Sequence, residues 1–333
     1  MTADRAVIRE QWVYAHLGSE AGIEKLAGDA SFRSYYRVRL NGVTYVLMDA
    51  PPEHEDVKPF LAVREWFERT GIRVSHLVAE DVVQGFLLLE DFGDHTWASH
   101  LRQGGDVEPL FADALRQLHL LQASGPGIEL PLFDMARMRR ECDLYLDWYL
   151  PRVAGHTPTP GERQAYHDAL SPLLAEIEAL PRVPVHLDFH SRNLMLPAGR
   201  LPLGMIDYQD AVTGPVTYDL ASLLYDCYQD YPEMFRCDWS RRFFETLPVP
   251  LRDCFDGFEA WHRLLRLTAM QRHLKAIGIF ARLAHRDGKL QFLGEIPLTR
   301  KHLCEEMLAL GLAATDFPLL AIGPAEKVSA CSS

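Results

Sequence analysis

The sequence lacks the cysteine patterns of a metal-binding or disulfide-bonded protein. Its cysteines form no Cys-x-x-Cys pair and no zinc-ligand spacing; the six are Cys142, Cys227, Cys237, Cys254, Cys304 and Cys331. Isolated thiols of this kind are typical of the reduced cytosol. The chain also has no apolar run as long as a membrane span, and residues 1–5 lead into an amphipathic stretch without an apolar signal-peptide core. We therefore expect a cytoplasmic protein with no membrane partner.

Basic residues are too few to balance the acidic ones. The chain has 34 Lys and Arg against 46 Asp and Glu, which gives a formal net charge of −12. A surface of this sign is not drawn to nucleic acids or anionic membranes, so neither is an expected partner. With 48% hydrophobic and 24% charged residues over 333 positions, the composition is that of a globular protein with room for two lobes. We expect a small-molecule substrate and infer no obligate protein partner.

The apolar patterns divide the chain into a strand-rich first part and a helical remainder. A helical pattern over residues 4–18 precedes a hairpin over residues 34–49, whose Asn41-Gly42 pair suits a type I′ turn. A helix over residues 57–70 and a buried strand over residues 86–89 complete the first part. Further helical patterns cover residues 108–123, 134–150, 161–180, 216–230, 239–246, 252–284 and 299–311. This order predicts a two-lobed α+β protein.

Three polar side chains around an apolar hairpin carry the clearest functional signal. Four residues separate Asp188 from Asn193, and Asp207 follows two short strand patterns, residues 194–196 and 201–206. An antiparallel hairpin of that size returns Asp207 to Asn193. Phosphoryl transfer from a nucleotide needs an acceptor-orienting carboxylate beside two oxygen ligands for Mg²⁺. The spacing predicts that Asp188 orients the acceptor hydroxyl and takes its proton, while Asn193 and Asp207 hold the metal.

The same residues have other interpretations. Asp188 alone is a loop carboxylate that caps a turn, and Asn193 alone is a turn residue. His186 and His190 flank Asp188 in a His-x-Asp-x-His pattern that could suit a zinc hydrolase. No downstream segment supplies a matching ligand set, so we interpret His186 as a hydrogen-bonded structural residue. An unpaired Asp207 after an apolar strand would be costly, and a metal ion would compensate its charge.

Taken together, these residues resemble the aminoglycoside phosphotransferase/choline kinase family. The likeness covers roughly residues 20–285 and rests on His186-x-Asp188-x4-Asn193, on Ile206-Asp207 and on the segment 214–221. It implies a protein-kinase-like bilobal fold of the α+β class. The small, strand-rich N-lobe, residues 1–92, would cover the nucleotide, and the larger, mainly helical C-lobe, residues 93–333, would hold the catalytic and substrate residues. ATP and Mg²⁺ are the cofactors that this resemblance implies.

Two segments are similar to the family's nucleotide-binding segments. Residues 90–94 look like the interlobe segment whose backbone meets the adenine, which makes Glu90 and Phe92 candidate contacts. The turn that precedes the first hairpin stands where kinases cover the phosphates, and its candidates are Ser31, Phe32 and Arg33.

The chain departs from the kinase pattern at two places on the nucleotide side. The turn before the hairpin has the single glycine Gly28 and is not a GxGxxG loop. Met48 stands at about the place of the lysine with which protein kinases neutralise phosphate charge. Arg33 or Lys58 could supply that charge, and no spacing rule selects between them.

A closer likeness concerns the substrate. Residues 28–37, 47–52 and 271–283 look like the branch that contains the anomeric N-acetylmuramate/N-acetylglucosamine kinases. This likeness implies phosphorylation of the C1 hydroxyl of these amino sugars in peptidoglycan recycling. A kinase of another small alcohol or of an aminoglycoside shares the catalytic core and stays open. A nucleotide-binding pseudokinase, which the missing lysine suggests, stays open as well.

The candidates for the sugar site come from three segments: His190, Arg192, Glu141, Tyr145 and Arg272. An arginine suits a lactyl carboxylate through bidentate hydrogen bonds, which favours Arg272, although the polar residues around it also fit a solvated helix face. His190 and Arg192 fit a surface loop equally well.

Asp219 is interpreted as structural. An acid in the first turn of a helix is stabilised by the helix dipole, and the family resemblance implies that Asp219 supports the catalytic loop through backbone hydrogen bonds.

Overall fold

The computed structural model describes residues 4–26, 32–125 and 127–325, so the predicted site residue Ser31 lies outside the described residues. The strands are β1 (Gly22–Lys25), β2 (Ser34–Leu40), β3 (Val43–Asp49), β4 (Leu77–Asp81), β5 (Phe86–Glu90), β6 (Arg182–Val185), β7 (Leu194–Met195), β8 (Gly204–Met205) and β9 (Val212–Pro215). The helices are α1 (Arg5–Leu17), α2 (Lys58–Arg69), α3 (Trp97–Arg102), α4 (Glu108–Ala123), α5 (Met135–Leu144), α6 (Leu150–Arg152), α7 (Pro160–Glu178), α8 (Tyr218–Leu224), α9 (Glu233–Thr246), α10 (Val249–Arg252), α11 (Phe258–Arg286) and α12 (Ile296–Ala309).

The chain divides into two compact units. Unit 1 comprises Met1–Asp113 and Asn193–Gln209, and unit 2 comprises Ala114–Arg192 and Asp210–Ser333. The segment with both predicted metal ligands therefore belongs to the same unit as the strand-rich first part of the chain. The predicted lobe boundary between residues 92 and 93 stays a prediction. The α+β class is confirmed, since unit 1 is built on a sheet and unit 2 is mainly helical.

Unit 1 is organised by one antiparallel sheet with the strand order β1-β2-β3-β5-β4. The predicted hairpin of β2 and β3 is confirmed: Asn41 (φ 49°) and Gly42 (φ 79°) both have the positive φ that a type I′ turn requires. One face of the sheet packs against α1 in a cluster of buried side chains that includes Trp12, Val13, Val38, Leu47, Phe86 and Leu88. Full burial of one such side chain contributes roughly 1.5–3 kcal/mol, so the sheet and α1 stabilise each other.

The predicted hairpin after Asn193 is present, with shorter strands than expected. β7 and β8 pair over two residues each, because a 3₁₀ turn at Pro197–Gly199 and irregular chain occupy the rest of the segment. Isolated bridges connect this hairpin to Val74 and Thr96, and the backbone N–H of Leu203 donates to the Asp113 carboxylate at 2.8 Å. These bonds explain why the segment belongs to unit 1.

The helix α11 lies at the centre of unit 2. It has 29 residues and packs against α5, α7, α8, α9 and α12. Its polar residues Gln271, Arg272 and His273 are buried, so this stretch is not the solvated face that one interpretation expected. No helix within the described ranges has both the length and the apolar character needed to cross a bilayer.

Four helices differ clearly from their predicted bounds. The pattern over residues 252–284 begins later, since α11 spans Phe258–Arg286. The pattern over residues 216–230 yields only α8, because Tyr225 leaves the helical region (φ −111°, ψ 47°). The pattern over residues 239–246 starts earlier, since α9 begins directly after Pro232. The pattern over residues 134–150 is interrupted by a π-helical turn, Tyr145–Tyr149, between α5 and α6.

The interruption of the helical pattern over residues 134–150 coincides with a very close approach of α11. A Cβ added to Gly278 would lie 2.3 Å from the carbonyl carbon of Leu144 and 2.6 Å from its oxygen. Leu144 ends α5, and the π-helical turn begins at the next residue. Only glycine permits the two backbones to approach so closely.

We predict that Gly278→Ala destabilises unit 2 by about 3 kcal/mol, because backbone atoms must move to accommodate the methyl group. Chemical denaturation followed by circular dichroism measures the effect. Gly161→Ala is the matched control, since Gly161 also lies in a helix but has open space around it; it should be neutral or stabilise by up to about 1 kcal/mol. Equal stability of the two variants would contradict the close approach.

Candidate active site

The turn that carries Asp188 is held by the buried carboxylate of Asp219. Asp219 is 1% exposed, and its oxygens accept hydrogen bonds from the backbone N–H groups of His186 (2.7 Å) and Leu187 (3.1 Å). Leu187 has a φ of 77°, a left-handed conformation that costs a leucine about 1–2 kcal/mol. Burial raises the pKa of Asp219 to about 7, and the two N–H donors oppose this shift. The predicted role of Asp219 as a support of the loop is confirmed.

A second buried acid holds the other end of the same loop. Asp226, which follows α8, accepts hydrogen bonds from the backbone N–H groups of Ser191 (2.8 Å) and Tyr228 (2.8 Å). The residues between His186 and Ser191 are therefore held by carboxylates on both sides of α8. Sequence reasoning missed Asp226, because it placed this position inside a longer helix.

Asp188 lies beside a lysine and a glutamate from two helices. The ammonium nitrogen of Lys275, on α11, is 4.0 Å from an oxygen of Asp188 and 3.8 Å from an oxygen of Glu141, on α5. The Asp188 side chain is 35% exposed, whereas those of Lys275 and Glu141 are 16% and 12% exposed. The acid thus reaches solvent while its basic neighbour lies behind it.

The charges around Asp188 keep it ionised. Burial by itself would raise the pKa of this carboxyl, but the positive charge of Lys275 lowers it. Burial also opposes the charge on Lys275, yet Glu141, Tyr218 and Asp188 raise the pKa of that ammonium group. A carboxylate and an ammonium ion therefore coexist here at neutral pH.

Arg272 is the candidate sugar residue with unused hydrogen-bonding capacity. Its side chain is buried, and neither Nε nor Nη1 has a hydrogen-bond partner among the residues that the structure describes. Its guanidinium carbon lies 5.4 Å from the ring centre of Tyr218, whose hydroxyl is also buried and unpartnered within the described residues. Buried N–H groups without partners are costly, and a bound polar ligand would satisfy them.

The two loop candidates have aromatic and acidic neighbours. His190 packs edge-on against Tyr228, with 5.3 Å between ring centres, and burial lowers its pKa, so the imidazole is neutral at pH 7. Arg192 lies over the same ring at 3.6 Å and forms an ion pair with Glu295. The Arg192 guanidinium therefore already has an ion-pair partner, Glu295, and an aromatic ring, Tyr228, against its face.

The two candidates from the 134–150 helix are placed differently from each other. Glu141 accepts hydrogen bonds from Arg137 Nε (3.2 Å) and Gln271 Nε2 (3.1 Å), next to Lys275. Tyr145 is fully buried, and its hydroxyl donates to the Leu319 carbonyl (3.3 Å) and accepts from Arg300 (2.9 Å). The structure thus brings Glu141 near Asp188 and places Tyr145 in the core.

Unit 1 contains a cavity of about 490 Å³ that joins the predicted metal ligands to the interlobe segment. Asn193, Asp207, Glu90 and Phe92 all line it. Its apolar walls include Val46, Leu89, Met195 and Ile206. A slot with apolar walls and polar groups at its ends suits a purine nucleotide.

The hairpin returns Asp207 to Asn193 as its length predicts. The backbone N–H of Ile206 donates to the Asn193 carbonyl at 3.1 Å, and the Asn193 amide nitrogen lies 3.5 Å from an oxygen of Asp207. The other Asp207 oxygen accepts from Gln209 Nε2 at 2.7 Å. Asp207 has a φ of 65°, an uncommon conformation that aspartate tolerates better than most residues and that is often found at functional sites.

These two side chains fit a hard divalent cation. An amide oxygen and a carboxylate oxygen are the ligands that Mg²⁺ prefers, and the metal ordinarily retains water and phosphate oxygens for its other positions. Rotation of the Asn193 amide by half a turn exchanges its nitrogen for its oxygen. Two oxygens would then face each other across a gap that a cation can bridge.

Glu90 and Phe92 are both held by Arg73. The Arg73 guanidinium forms an ion pair with Glu90 and lies 4.7 Å from the ring centre of Phe92. The hydrogen bond from Arg73 lowers the pKa of Glu90. The carboxylate of Glu90 is engaged in this way, and its backbone N–H donates to the His76 carbonyl at 2.8 Å.

The candidates on the phosphate side lie away from the described lining of the cavity. Phe32 is 65% exposed and stacks on His54 at 4.5 Å between ring centres. Arg33 pairs with Glu55 at 3.3 Å, and Lys58 begins α2. Met48 is buried in β3, opposite Leu87.

Arg37, which sequence reasoning missed, is the only basic side chain among the described residues that line the cavity. It forms ion pairs with Asp91 (2.6 Å) and Asp94 (2.8 Å). The hydrogen bonds that Arg37 donates to these two carboxylates raise its pKa further. Its charge is already balanced, so Arg37 holds the 91–94 segment and does not simply replace the missing lysine.

The zinc interpretation gains no support from the part of the chain that the structure describes, where no group of three or more His, Cys, Asp and Glu side chains could hold a metal ion. His186 is fully buried, and its Nδ1 accepts a hydrogen bond from the backbone N–H of Asp188 at 3.3 Å. Its interpretation as a structural residue is confirmed.

The sequence has relatives of known activity. An N-acetylmuramate/N-acetylglucosamine kinase of Pseudomonas putida is 38% identical over 271 residues, which cover 81% of this chain and 79% of the relative. A kinase of the same name from Neisseria meningitidis is 39% identical over 281 residues, which cover 81% of each.

Solved structures of more distant proteins share the fold. A choline/ethanolamine kinase family protein of Mesorhizobium loti superimposes with a TM-score of 0.63 at 14% identity, covering 96% of this chain and all of that one. The ADP-bound aminoglycoside phosphotransferase APH(2'')-Ib superimposes with a TM-score of 0.59 at 13% identity, covering 92% and 99% of the two chains. The predicted kinase-like fold is confirmed by these similarities.

A family model agrees with the individual relatives. The model of the phosphotransferase enzyme family matches residues 22–266, which contain Asp188, Asn193 and Asp207. This match covers most of the chain, and the relatives are well above 30% identical. The chain is therefore a member of the phosphotransferase enzyme family.

Proposed function

We propose that this enzyme is an ATP- and Mg²⁺-dependent sugar kinase that phosphorylates the C1 hydroxyl of N-acetylmuramate and N-acetylglucosamine. The observation that carries the chemistry is the position of the Asp188 carboxylate beside Lys275, on a turn that Asp219 holds. The names of the relatives support the choice of sugars. Both sugars are components of peptidoglycan, so the reaction would serve its recycling, and its use of ATP would place it in the cytoplasm.

In this proposal Asp188 orients the C1 hydroxyl and takes its proton. The hydroxyl oxygen forms a bond to the γ-phosphorus, the bond from that phosphorus to the bridging oxygen breaks, and ADP leaves with the electron pair. Mg²⁺ held by Asn193 and Asp207 would neutralise the charge on the phosphates. The protein's part is positioning and electrostatic stabilisation, since the reaction asks for no covalent intermediate.

The cavity of unit 1 would bind the nucleotide. Its apolar walls suit adenine, and the carbonyl oxygen of Glu90 and the backbone of Phe92 would form hydrogen bonds at the adenine edge. Phosphate contacts from Ser31, Phe32 and Arg33 stay part of the proposal. Arg33 would have to exchange Glu55 for a phosphate oxygen.

For the sugar, the strongest support falls on Arg272. Its buried Nε and Nη1 have no partner among the described residues, and each can donate to a carboxylate oxygen; N-acetylmuramate carries a lactyl carboxylate. Glu141 and His190 remain candidates for the sugar hydroxyls. Arg192 and Tyr145 are engaged elsewhere, with Glu295 and with Leu319 and Arg300.

The test of the proposal is a Mg²⁺-ATP phosphorylation assay across amino sugars, hexoses, aminoglycosides and choline. We expect turnover of N-acetylmuramate and N-acetylglucosamine and none of their methyl glycosides, in which C1 is blocked. Phosphorylation of a blocked sugar would refute the anomeric assignment. Preference for choline or an aminoglycoside would establish the alternative that the net charge of −12 favours, and ATP binding without any turnover would identify a pseudokinase.

We predict that Asp188→Asn lowers kcat by at least about 10³-fold, because the amide cannot take the hydroxyl proton and loses the charge that orients it. ATP binding, measured by calorimetry, should be retained, since the cavity lies in unit 1. Asp168→Asn, at an exposed acid on α7, is the matched control and should keep normal activity. A kcat within tenfold of the wild type for the Asp188 variant would reject the assigned proton acceptor.

We predict that Arg272→Met reduces kcat/KM for N-acetylmuramate about 10–100-fold, which corresponds to loss of hydrogen bonds to a charged group. The value for N-acetylglucosamine, which has no lactyl carboxylate, should change much less and serves as the internal control. Equal losses for both sugars would show that Arg272 supports the site as a whole and does not recognise the carboxylate.

A further inference from the structure

Lys275 projects from α11 into a position between two carboxylates. Its ammonium nitrogen is 3.8 Å from Glu141 and 4.0 Å from Asp188, so it forms ion pairs with both and a short hydrogen bond with neither. Its side chain is 16% exposed. A lysine that serves only solubility would extend into water, whereas this one directs its charge at the predicted proton acceptor.

The groups around Lys275 hold it in place. Glu141 is itself fixed by hydrogen bonds from Arg137 and Gln271. Gln271 lies one helical turn before Lys275 on α11, so the same helix supplies both the lysine and a support of its counterion. The charged and titratable groups that face the ammonium group are Glu141 from α5, Tyr218 from α8, Asp188 from the loop and Arg272 from α11.

Asp188 has one predominant positive neighbour. The charged and titratable groups that interact with its carboxylate are Lys275 and Arg272 from α11, His186 and His190 from its own loop, and Tyr218 and Asp219 from α8. Of these, Arg272 stands over Tyr218, and the two histidines carry a full charge only when protonated. Lys275 forms an ion pair with Asp188.

We propose that Lys275 is a positioning residue for phosphoryl transfer: its ammonium group, anchored by Glu141, orients the Asp188 carboxylate and keeps it negatively charged until the acceptor hydroxyl gives up its proton. This inference rests on the proposed role of Asp188. It adds a cationic residue that acts through the acid and does not need to touch the sugar or the nucleotide. It also assigns Glu141 to the support of Lys275.

The decisive experiment follows the Asp188 carboxyl directly. Aspartate labelled with ¹³C at the carboxyl carbon is incorporated, the Asp188 signal is assigned by its loss in Asp188→Asn, and its shift is recorded against pH. Lys275→Met should raise the titration midpoint of Asp188 by about one pH unit or more, whereas Lys275→Arg, which keeps the charge, should stay near the wild type. Lys275→Gln is a second neutral variant, more polar, in case the methionine variant does not fold.

Lys301→Met is the matched control, because Lys301 also forms ion pairs with two acids of unit 2, Asp230 and Glu305. It should leave the Asp188 midpoint unchanged. An unchanged midpoint in the neutral Lys275 variants would overturn the proposal, and so would an equal shift in the Lys301 variant.

The pH dependence of kcat separates positioning from a purely structural role. Loss of Lys275 should move the acidic limb of the profile to higher pH, by the same amount as the NMR midpoint, and arginine should restore it. A uniform loss at every pH, with the limb in place, would mean that Lys275 only stabilises the fold and would refute the proposal. The NMR titration needs no substrate, so failure of the sugar assay and failure of the Lys275 proposal are distinguishable.

Discussion

The hydrogen bonds that the backbone N–H groups of residues 186 and 187 donate to the Asp219 carboxylate are the constraint on which the proposed chemistry depends. Leu187 would not remain in a left-handed conformation without partners for its N–H and that of its neighbour. The orientation of Asp188 is set by that conformation. Because Asp219 lies in the first turn of α8, the turn is attached to a helix that is buried along its whole length. Asp188, the proposed proton acceptor, thus owes its position to a second, buried acid.

Unit 2 places positive side chains beside Asp188, although the protein as a whole is negatively charged. The molecule is strongly acidic, yet Asp188 has buried cations on the adjacent face of α11. Buried charges persist only when opposite charges or hydrogen bonds compensate them. Lys275 meets this condition through Glu141 and Asp188, whereas Arg272 leaves part of its capacity unused. This difference fits two roles on one helix: Lys275 would support Asp188, and Arg272 would bind a ligand.

The sequence was most informative where function is encoded by short spacing. Asp188, Asn193 and the hairpin before Asp207 lie within about twenty residues, so local periodicity is enough to place them. Lys275, Asp226 and Arg37 are different, because their partners come from distant parts of the chain. A lysine on a helix usually faces water, and only tertiary packing shows that this one faces Asp188. The π-helical turn after Leu144 was equally hidden, since it coincides with the close approach of a glycine more than a hundred residues away.

The contact between Gly278 and Leu144 has a consequence for how specificity can change in this enzyme. It locks α5 and α11 together one turn beyond Lys275, with Glu141 on the facing helix. Neither helix can slide or rotate to fit a larger or smaller sugar without breaking that backbone contact. New substrates would therefore have to be accommodated by exchanging side chains on a rigid frame. Natural or engineered variants with other substrates should differ in the side chains at Arg272 and the positions around it, while the distance between α5 and α11 stays constant.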